Sequence, residues 1–385
     1  MKVSLRHLRI VLAVQETRSV TQGAALCHVS QPAVSAALAQ FETLLGTPIF
    51  DRGRGGLILT PAGEAVVLRL RRALALLDPV LTALAPRLTR TATVAQLNAL
   101  IAVTECESFS AAARRLNVAQ PTVHRAISQL EGEVGQPLFD RTSHGVIPIR
   151  AVRHLAIAAR LAFAEMEQAE ADVGALAGRE VGRVVIGAMP LARSALLGSA
   201  ISLFRRRWKT LPVRVIDGPY ADLVLALRRG EVDVLVGALR PAVSDLTQEV
   251  LFQDALAIVA RPGHPLTQGP VGPVEMVGFP WVVAAEGTPA RDHFTAMFRG
   301  VGLPVPGSLV ETGSMGLLSD LVGTSDHLGF ISARQVGREV ARGALVQLPF
   351  QPDGTLRPIG LAMRAGWQPT RAQDDMLAAL RAAAV

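Results

Sequence analysis

The chain has 385 residues, half of them hydrophobic, with two cysteines and a net charge of +7. That length suffices for two or three domains with proper cores, yet no apolar run approaches the roughly twenty residues of a membrane span, and the short run at residues 10–14 stops at Gln15-Glu16 and does not read as a secretory signal. Cys27 and Cys106 have no His or Cys at metal-ligand spacing, so a disulfide-free, metal-free cytoplasmic protein without membrane association is expected.

From the N-terminus, Ser19 and Thr21 can cap a short helix through Ala24-Ala25, Val29 fills a turn, and Pro32 sits where a first-turn proline loses no hydrogen bond. Val34, Leu38, Phe41 and Leu45 recur at three and four residues and form the buried face of a second helix. Ser30, Gln31, Ala33, Ser35 and Ala36 are left at its N-terminal end, the end that a recognition helix inserts into the major groove. Arg52 and Arg54, set among Gly53, Gly55 and Gly56, form a basic hairpin tip suited to phosphate. Residues 1–60 therefore read as a winged helix-turn-helix.

From Thr60-Pro61 a capped helix is expected through Glu64, Val67, Leu70, Leu74 and Leu77 until Pro79 disturbs it, filling a linker over 61–90. The head then repeats. Gln31-Pro32 returns as Gln120-Pro121, Glu42 as Glu131, Gly46 as Gly135, Pro48 as Pro137 and Phe50-Asp51-Arg52 as Phe139-Asp140-Arg141, each 89 positions later. Residues 91–150 are thus a second winged helix-turn-helix, with Gln120, Thr122, His124, Arg125 and Arg141 as its candidate DNA-contacting residues. An alanine-rich helix over 151–178 follows, without a Thr-Pro start. Residues 1–90 hold 11 basic and 5 acidic side chains, residues 91–180 hold 8 and 10, and residues 181–385 hold 20 and 17, so the first head is the basic one.

After a hinge at 178–182 the composition alternates between strands and helices: strands at 184–188, 213–216 and 231–237, helices at 192–208 and 220–229. That alternation implies a mostly parallel sheet with helices on both faces. A crossover at 256–266 leads into a second lobe carrying Trp281, a helix after Thr288-Pro289 and a helix after Gly313-Ser314. The expected lobes are 181–261 with 346–385, and 262–345.

The residues Leu8, Ala13-Val14, Ser19, Ala24, Val29 to Ser35, Glu42, Gly46 to Phe50 and Thr60-Pro61-Ala62-Gly63 resemble the N-terminal winged helix of the LysR-type bacterial transcription regulators. The C-terminal half is similar to that family's effector domain, of the type 2 periplasmic-binding-protein plan. Gly187 to Arg193 and Arg228-Arg229-Gly230-Glu231-Val232-Asp233 look most like the subgroup of the galactose-binding-protein regulator. The departure is the doubled head. The resemblance implies a regulator that binds double-stranded promoter DNA and a small-molecule effector, assembles as a homodimer or homotetramer through its linker helices, and meets RNA polymerase.

The interlobe cleft is the expected effector site, because strand ends and helix starts open there. Its candidate residues are Met189, Pro190, Leu191, Arg193, Ala238, Thr288, Gly313, Ser314 and Met315, with helix-start N–H groups and hydroxyls aimed at a carboxylate or a sugar. Capping alone is the competing role for Thr288 and Ser314, and solvation the competing role for Arg193 and Arg291. Trp281 is the expected stacking surface, Trp208 and Trp367 the expected core. No Gly-x-Ser-x-Gly elbow, phosphate loop or paired-carboxylate constellation is present; His124, His144, His154, His264, His293 and His327 are scattered, and no enzyme or cofactor is expected. Copy one, with no arginine on its recognition helix, is expected to use chiefly phosphates, and copy two, with Arg125, chiefly bases. A cytoplasmic solute sensor with one or both heads vestigial is the alternative.

Overall fold

A computed structural model describes residues 4–384 apart from His144, with the side chains of 193–195 outside that description. The chain divides after Arg183 into two units. No helix among the described residues is long and apolar enough to cross a membrane.

The first unit opens with helices α1 (Leu5–Thr17), α2 (Val20–Leu26) and α3 (Gln31–Leu45), a wing of strands β1 (Phe50–Gly53) and β2 (Gly56–Leu59), and the linker helix α4 (Pro61–Leu84). One helical turn, α5 (Leu88–Thr91), leads into α6 (Val94–Cys106), α7 (Phe109–Leu116), α8 (Gln120–Val134), the wing β3 (Phe139–Thr142) and β4 (Gly145–Pro148), and the second linker helix α9 (Arg150–Leu176). Ser19 caps α2 as expected, while Thr21 lies inside that helix; Ser30 and Ser108 also cap, all three serines accepting a backbone N–H three residues on, whereas Ala119 and Ile149 start α8 and α9 with no side-chain cap.

The duplication reaches the backbone. Arg18 and Glu107 close α1 and α6 in the left-handed region, and their carbonyls accept from Leu57 and Val146 at 2.9 Å, which pins each wing to its first helix. The opposing glycines Gly56 and Gly145 have φ of +108° and +149°, and a Cβ on either would lie 2.4 Å from those carbonyl oxygens. The repeated Glu42 and Glu131 accept from the N–H of Ile49 and Leu138, both at 2.9 Å. These bonds explain why those residue types recur at one spacing.

α4 and α9 pack along each other. α4 contributes Val66, Leu70, Ala73, Leu77 and Leu81, and α9 contributes Leu155, Ala159, Ala162, Met166 and Val173, all buried. Arg69, only 3% exposed, donates to Glu165 at 3.0 Å, Gln168 at 2.7 Å and Asp172 at 2.7 Å, while Arg72 donates to Glu165 at 3.0 Å. Burial pushes the Asp172 carboxyl above its usual range despite the bond from Arg69. Rising residue numbers on α4 meet falling numbers on α9, so the pair is antiparallel. α4 continues through Pro79, against the expected break: Pro79 and Ala75, whose carbonyl loses its donor, are both exposed, so water can satisfy that oxygen while Leu77 and Leu81 stay buried.

The second unit has two five-stranded sheets. Its first sheet has the order β6-β5-β7-β14-β8 and takes in β5 (Val184–Ala188), α10 (Pro190–Ala195), α11 (Leu197–Arg205), β6 (Val213–Asp217), α12 (Tyr220–Arg228), β7 (Val234–Ala238) and β8 (Leu246–Asp254), with β14 (Arg357–Arg364) and α17 (Arg371–Ala383) returning at the end. The second, β11-β10-β12-β9-β13, takes in β9 (Leu256–Ala260), α13 (Pro273–Met276), β10 (Trp281–Val283), α14 (Pro289–Arg299), β11 (Leu309–Glu311), α15 (Met315–Thr324), β12 (Leu328–Ser332), α16 (Ala333–Ala341) and β13 (Val346–Gln347). In each sheet two neighbouring pairs are parallel and two antiparallel, so a single strand, β14 in the first and β9 in the second, runs against the other four.

Three expectations change here. The lobe boundaries at 261 and 346 are misplaced, because β9 pairs with both β12 and β13 in the second sheet; the crossovers lie at Ala255 and over 348–356. The single helix at 192–208 is two, broken at Leu196 with φ −128° and ψ −52°. Trp281 is fully buried with Phe294 and Phe298 edge-on to its ring, so it is core and offers no stacking face. Trp208 is core as expected, and Trp367 is half-buried.

Replacing Arg69 by Leu strands the buried Glu165 and the half-buried Asp172 and should cost about 3–5 kcal/mol, whereas Arg9→Leu, which removes the partly exposed Arg9–Asp78 pair, should cost about 1 kcal/mol or less. Denaturant unfolding of the two variants checks this; equal losses would mean that the cluster does not hold the helix pair.

Candidate DNA interface and effector cleft

Val34, Ala37, Leu38, Phe41 and Leu45 anchor α3 in the first head, leaving Ser30, Gln31, Ala33, Ser35 and Ala36 exposed along its first two turns. The surface there is small and uncharged. Arg52 on β1 and Arg54 in the hairpin turn are exposed beside it. On α8 the residues Gln120, Thr122 and Arg125 are exposed, and Arg141 is exposed on β3. His124 differs from the serine it replaces: its ring stacks on Phe109 at a centroid distance of 4.0 Å and is half-buried. Ser110 donates to Gln120 at 3.0 Å and Gln120 lies 3.5 Å from the His124 ring, so this end of α8 is held by side chains where α3 has a serine cap. Arg125 has no bonded partner among the described residues.

Between the two lobes of the second unit lies a cavity of about 750 Å³, including its open mouth. Met189, Pro190, Leu191, Ala238, Thr288, Gly313, Ser314 and Met315 all line it. The side chain of Arg193 lies outside the described residues. Gly237, behind the cavity wall, has φ +156°, and a Cβ there would come within 2.3 Å of the Met189 methyl group. Arg291 lies elsewhere, paired with Glu311 at 2.6 Å.

The hydroxyls divide. That of Thr288 is fully used, accepting from Arg291 N–H and donating to the Ala285 carbonyl at 2.7 Å, so it is a cap and not a free donor. Ser314 accepts from Leu317 N–H, and its own proton has no acceptor among the described residues.

Sequence reading missed the polar groups of the cleft that matter most, Arg240, Ser332, Gln335 and Arg357. Arg357 is neutralised by the buried Asp254, at 3.1 and 2.9 Å, which also accepts from Ser332 at 2.7 Å. Arg240 has no carboxylate partner among the described residues: one terminal nitrogen donates to the Gly287 carbonyl at 3.3 Å, its plane lies 4.9 Å over the Tyr220 ring, and its Nε is buried with no acceptor. The adjoining Ala238-Leu239-Arg240-Pro241 carries no motif, and only the antiparallel pairing of β14 beside β7 brings Arg357 near it.

A family model described as the LysR substrate binding domain matches residues 177–385, and one described as the bacterial regulatory helix-turn-helix protein of the lysR family matches twice, over 5–64 and 94–151. The chain belongs to the LysR family of DNA-binding transcription regulators, which bind small-molecule effectors, form oligomers and are not enzymes. It is 34% identical over 388 residues to the HTH-type transcriptional regulator GalR of Pseudomonas putida, covering 98% of this chain and 96% of that one, so the alignment runs through both heads. It is 30% identical to the regulator YdcI of Escherichia coli over 70% of this chain and 88% of that one. Full-length OxyR of Pseudomonas aeruginosa shares the fold over 75% of this chain and 97% of its own, with a TM-score of 0.56 at 21% identity.

Because the Thr288 hydroxyl is spent within the protein, Thr288→Ala should lower stability by about 1 kcal/mol, the usual worth of an N-cap. Thermal unfolding measures it; unchanged stability would return the hydroxyl to the list of free cleft donors.

Proposed function

We propose that both heads touch DNA, the first chiefly through phosphates at Arg52 and Arg54 and the second chiefly through bases read by Arg125, and that a small organic carboxylate in the cleft modulates this binding in the cytoplasm. The observation that carries the carboxylate is Arg240, whose charge meets no carboxylate and whose Nε meets no acceptor among the described residues, in a cavity whose other lining includes the apolar Met189, Leu191, Val283, Met315, Leu318 and Phe330 beside Arg357, which Asp254 already neutralises. A buried charged donor without an acceptor is costly until one arrives. The neighbouring starts of α14 and α15 add backbone N–H groups. A neutral sugar is less well served, since Trp281 is sealed in the lobe core and no tryptophan faces the cleft.

Two experiments test this. A thermal-shift screen of carboxylates against neutral sugars should find stabilisers among the carboxylates, and Arg240→Gln should raise their half-saturating concentration by roughly 10- to 100-fold, the worth of a hydrogen bond to a charged group. Stabilisation by sugars alone, or indifference to Arg240→Gln, would remove the carboxylate. On DNA, Arg52→Ala and Arg54→Ala should weaken binding alike on all sequences, each shallowing the dependence on log salt by about one. A change confined to one sequence would reassign those arginines to base reading.

A further inference from the structure

The helix pair α4–α9 is built for unlike partners. The helices start at Pro61 and Arg150, the same 89-residue offset as the heads, so each residue of α4 has a counterpart on α9. The counterparts of Glu165, Gln168 and Asp172 are Leu76, Pro79 and Ala83, and that of Arg69 is Ala158. Pairing two copies of α4 in this register would set the buried Arg69 against Pro79 and Ala83. Pairing two copies of α9 would set Glu165 and Asp172 against Leu161 and Ala158. Either arrangement buries charge without a partner, at a cost that the α4–α9 pair avoids.

The antiparallel pairing also relates the heads by an approximate two-fold axis. Two arginines show it. Arg87, just beyond α4, donates to the Glu133 carbonyl at 2.7 Å and the Gly132 carbonyl at 3.1 Å at the C-terminal end of α8, and Arg179, just beyond α9, donates to the Leu45 carbonyl at 3.2 Å at the C-terminal end of α3. Each linker thus caps the recognition helix of the other head with a positive charge, where the helix dipole favours one. The axis passes near Leu74 and Phe163, so the two linker starts stand about 40 Å apart at 1.5 Å per residue, comparable with one turn of B-DNA, about 34–36 Å.

From this we infer that one chain reads a composite, asymmetric DNA site: two unlike half-sites, inverted and about one turn apart, one for each head. Two identical readers would demand a palindrome. These readers differ where they face the groove. α3 presents Gln31, Ala33, Ser35 and Ala36, and α8 presents Gln120, Thr122, His124 and Arg125, so the first suits adenine edges and thymine methyls and the second a guanine. The inference rests on the reading that both heads touch DNA.

The test selects binding sites from duplexes with a random insert of roughly three helical turns, using the purified full-length chain and then its Gln31→Ala and Arg125→Ala variants, both at exposed positions. The expected site has two dissimilar halves; Arg125→Ala relaxes preference by roughly 5- to 100-fold at one position of one half only, and Gln31→Ala acts on the other half only. A palindrome whose halves are both relaxed by the same variant would overturn the composite site while leaving DNA contact intact. A lone half-site, with Gln31→Ala and Arg52→Ala without effect, would instead overturn the two-head reading beneath it.

Discussion

A buried guanidinium holds the regulator's first unit in its form. Arg69 is closed off from water and bonded to three side chains of α9 that begin 96 positions later in the chain. An ion pair taken out of water gains little over apolar packing, and its larger effect is to penalise every arrangement that separates it. Here the penalised arrangements are the symmetric ones. The apolar stripe of α4 alone would accept many partners, and the single arginine restricts it to α9. From that restriction follow the inverted relation of the heads and the reciprocal capping of α3 and α8 by Arg179 and Arg87.

In the second unit a carboxylate holds the corresponding place. Asp254, 1% exposed, ends β8 at the first crossover, and it joins Arg357 of β14 to Ser332, the cap of α16. Both crossovers are therefore tied to one side chain that borders the cleft. On the proposed reading, an effector carboxylate that engages Arg357 competes with Asp254 for it, so filling the cleft perturbs the network that joins the two crossovers. Arg240 lines the same cleft without a carboxylate partner among the described residues, and on the proposed reading it meets the ligand's charge.

Most of the heads could be read from the chain because their constraints are local: a cap and its N–H lie three residues apart, and glycines at Gly56 and Gly145 answer to carbonyls that any wing of this kind approaches. The repeat made the reading firmer, since each identity had to be explained twice. The pairing of α4 with α9 was not legible. An arginine on a helix face is usually solvated, and nothing local distinguishes Arg69 from Arg71, which is exposed. The cleft was half legible. Its loops carry Pro, Gly, Thr and Ser at helix starts, but Arg240 and Arg357 reach it through the antiparallel return of β14, a long-range pairing with no local signal. Trp281 was misread for the converse reason: it borders a short strand whose burial on both faces only the completed sheet reveals.

The inverted heads and their reciprocal capping both require that α4 and α9 of one chain pair with each other. That pairing is tested most directly by electron–electron dipolar spectroscopy on the full-length chain carrying Cys27→Ser and Cys106→Ser, spin-labelled at Leu68→Cys and Glu167→Cys, both exposed positions on the two helices. The expected result is a short distance whose modulation depth is unchanged when labelled chain is diluted into a large excess of unlabelled chain. Loss of that distance on dilution would show that the helices pair between chains, and would contradict it.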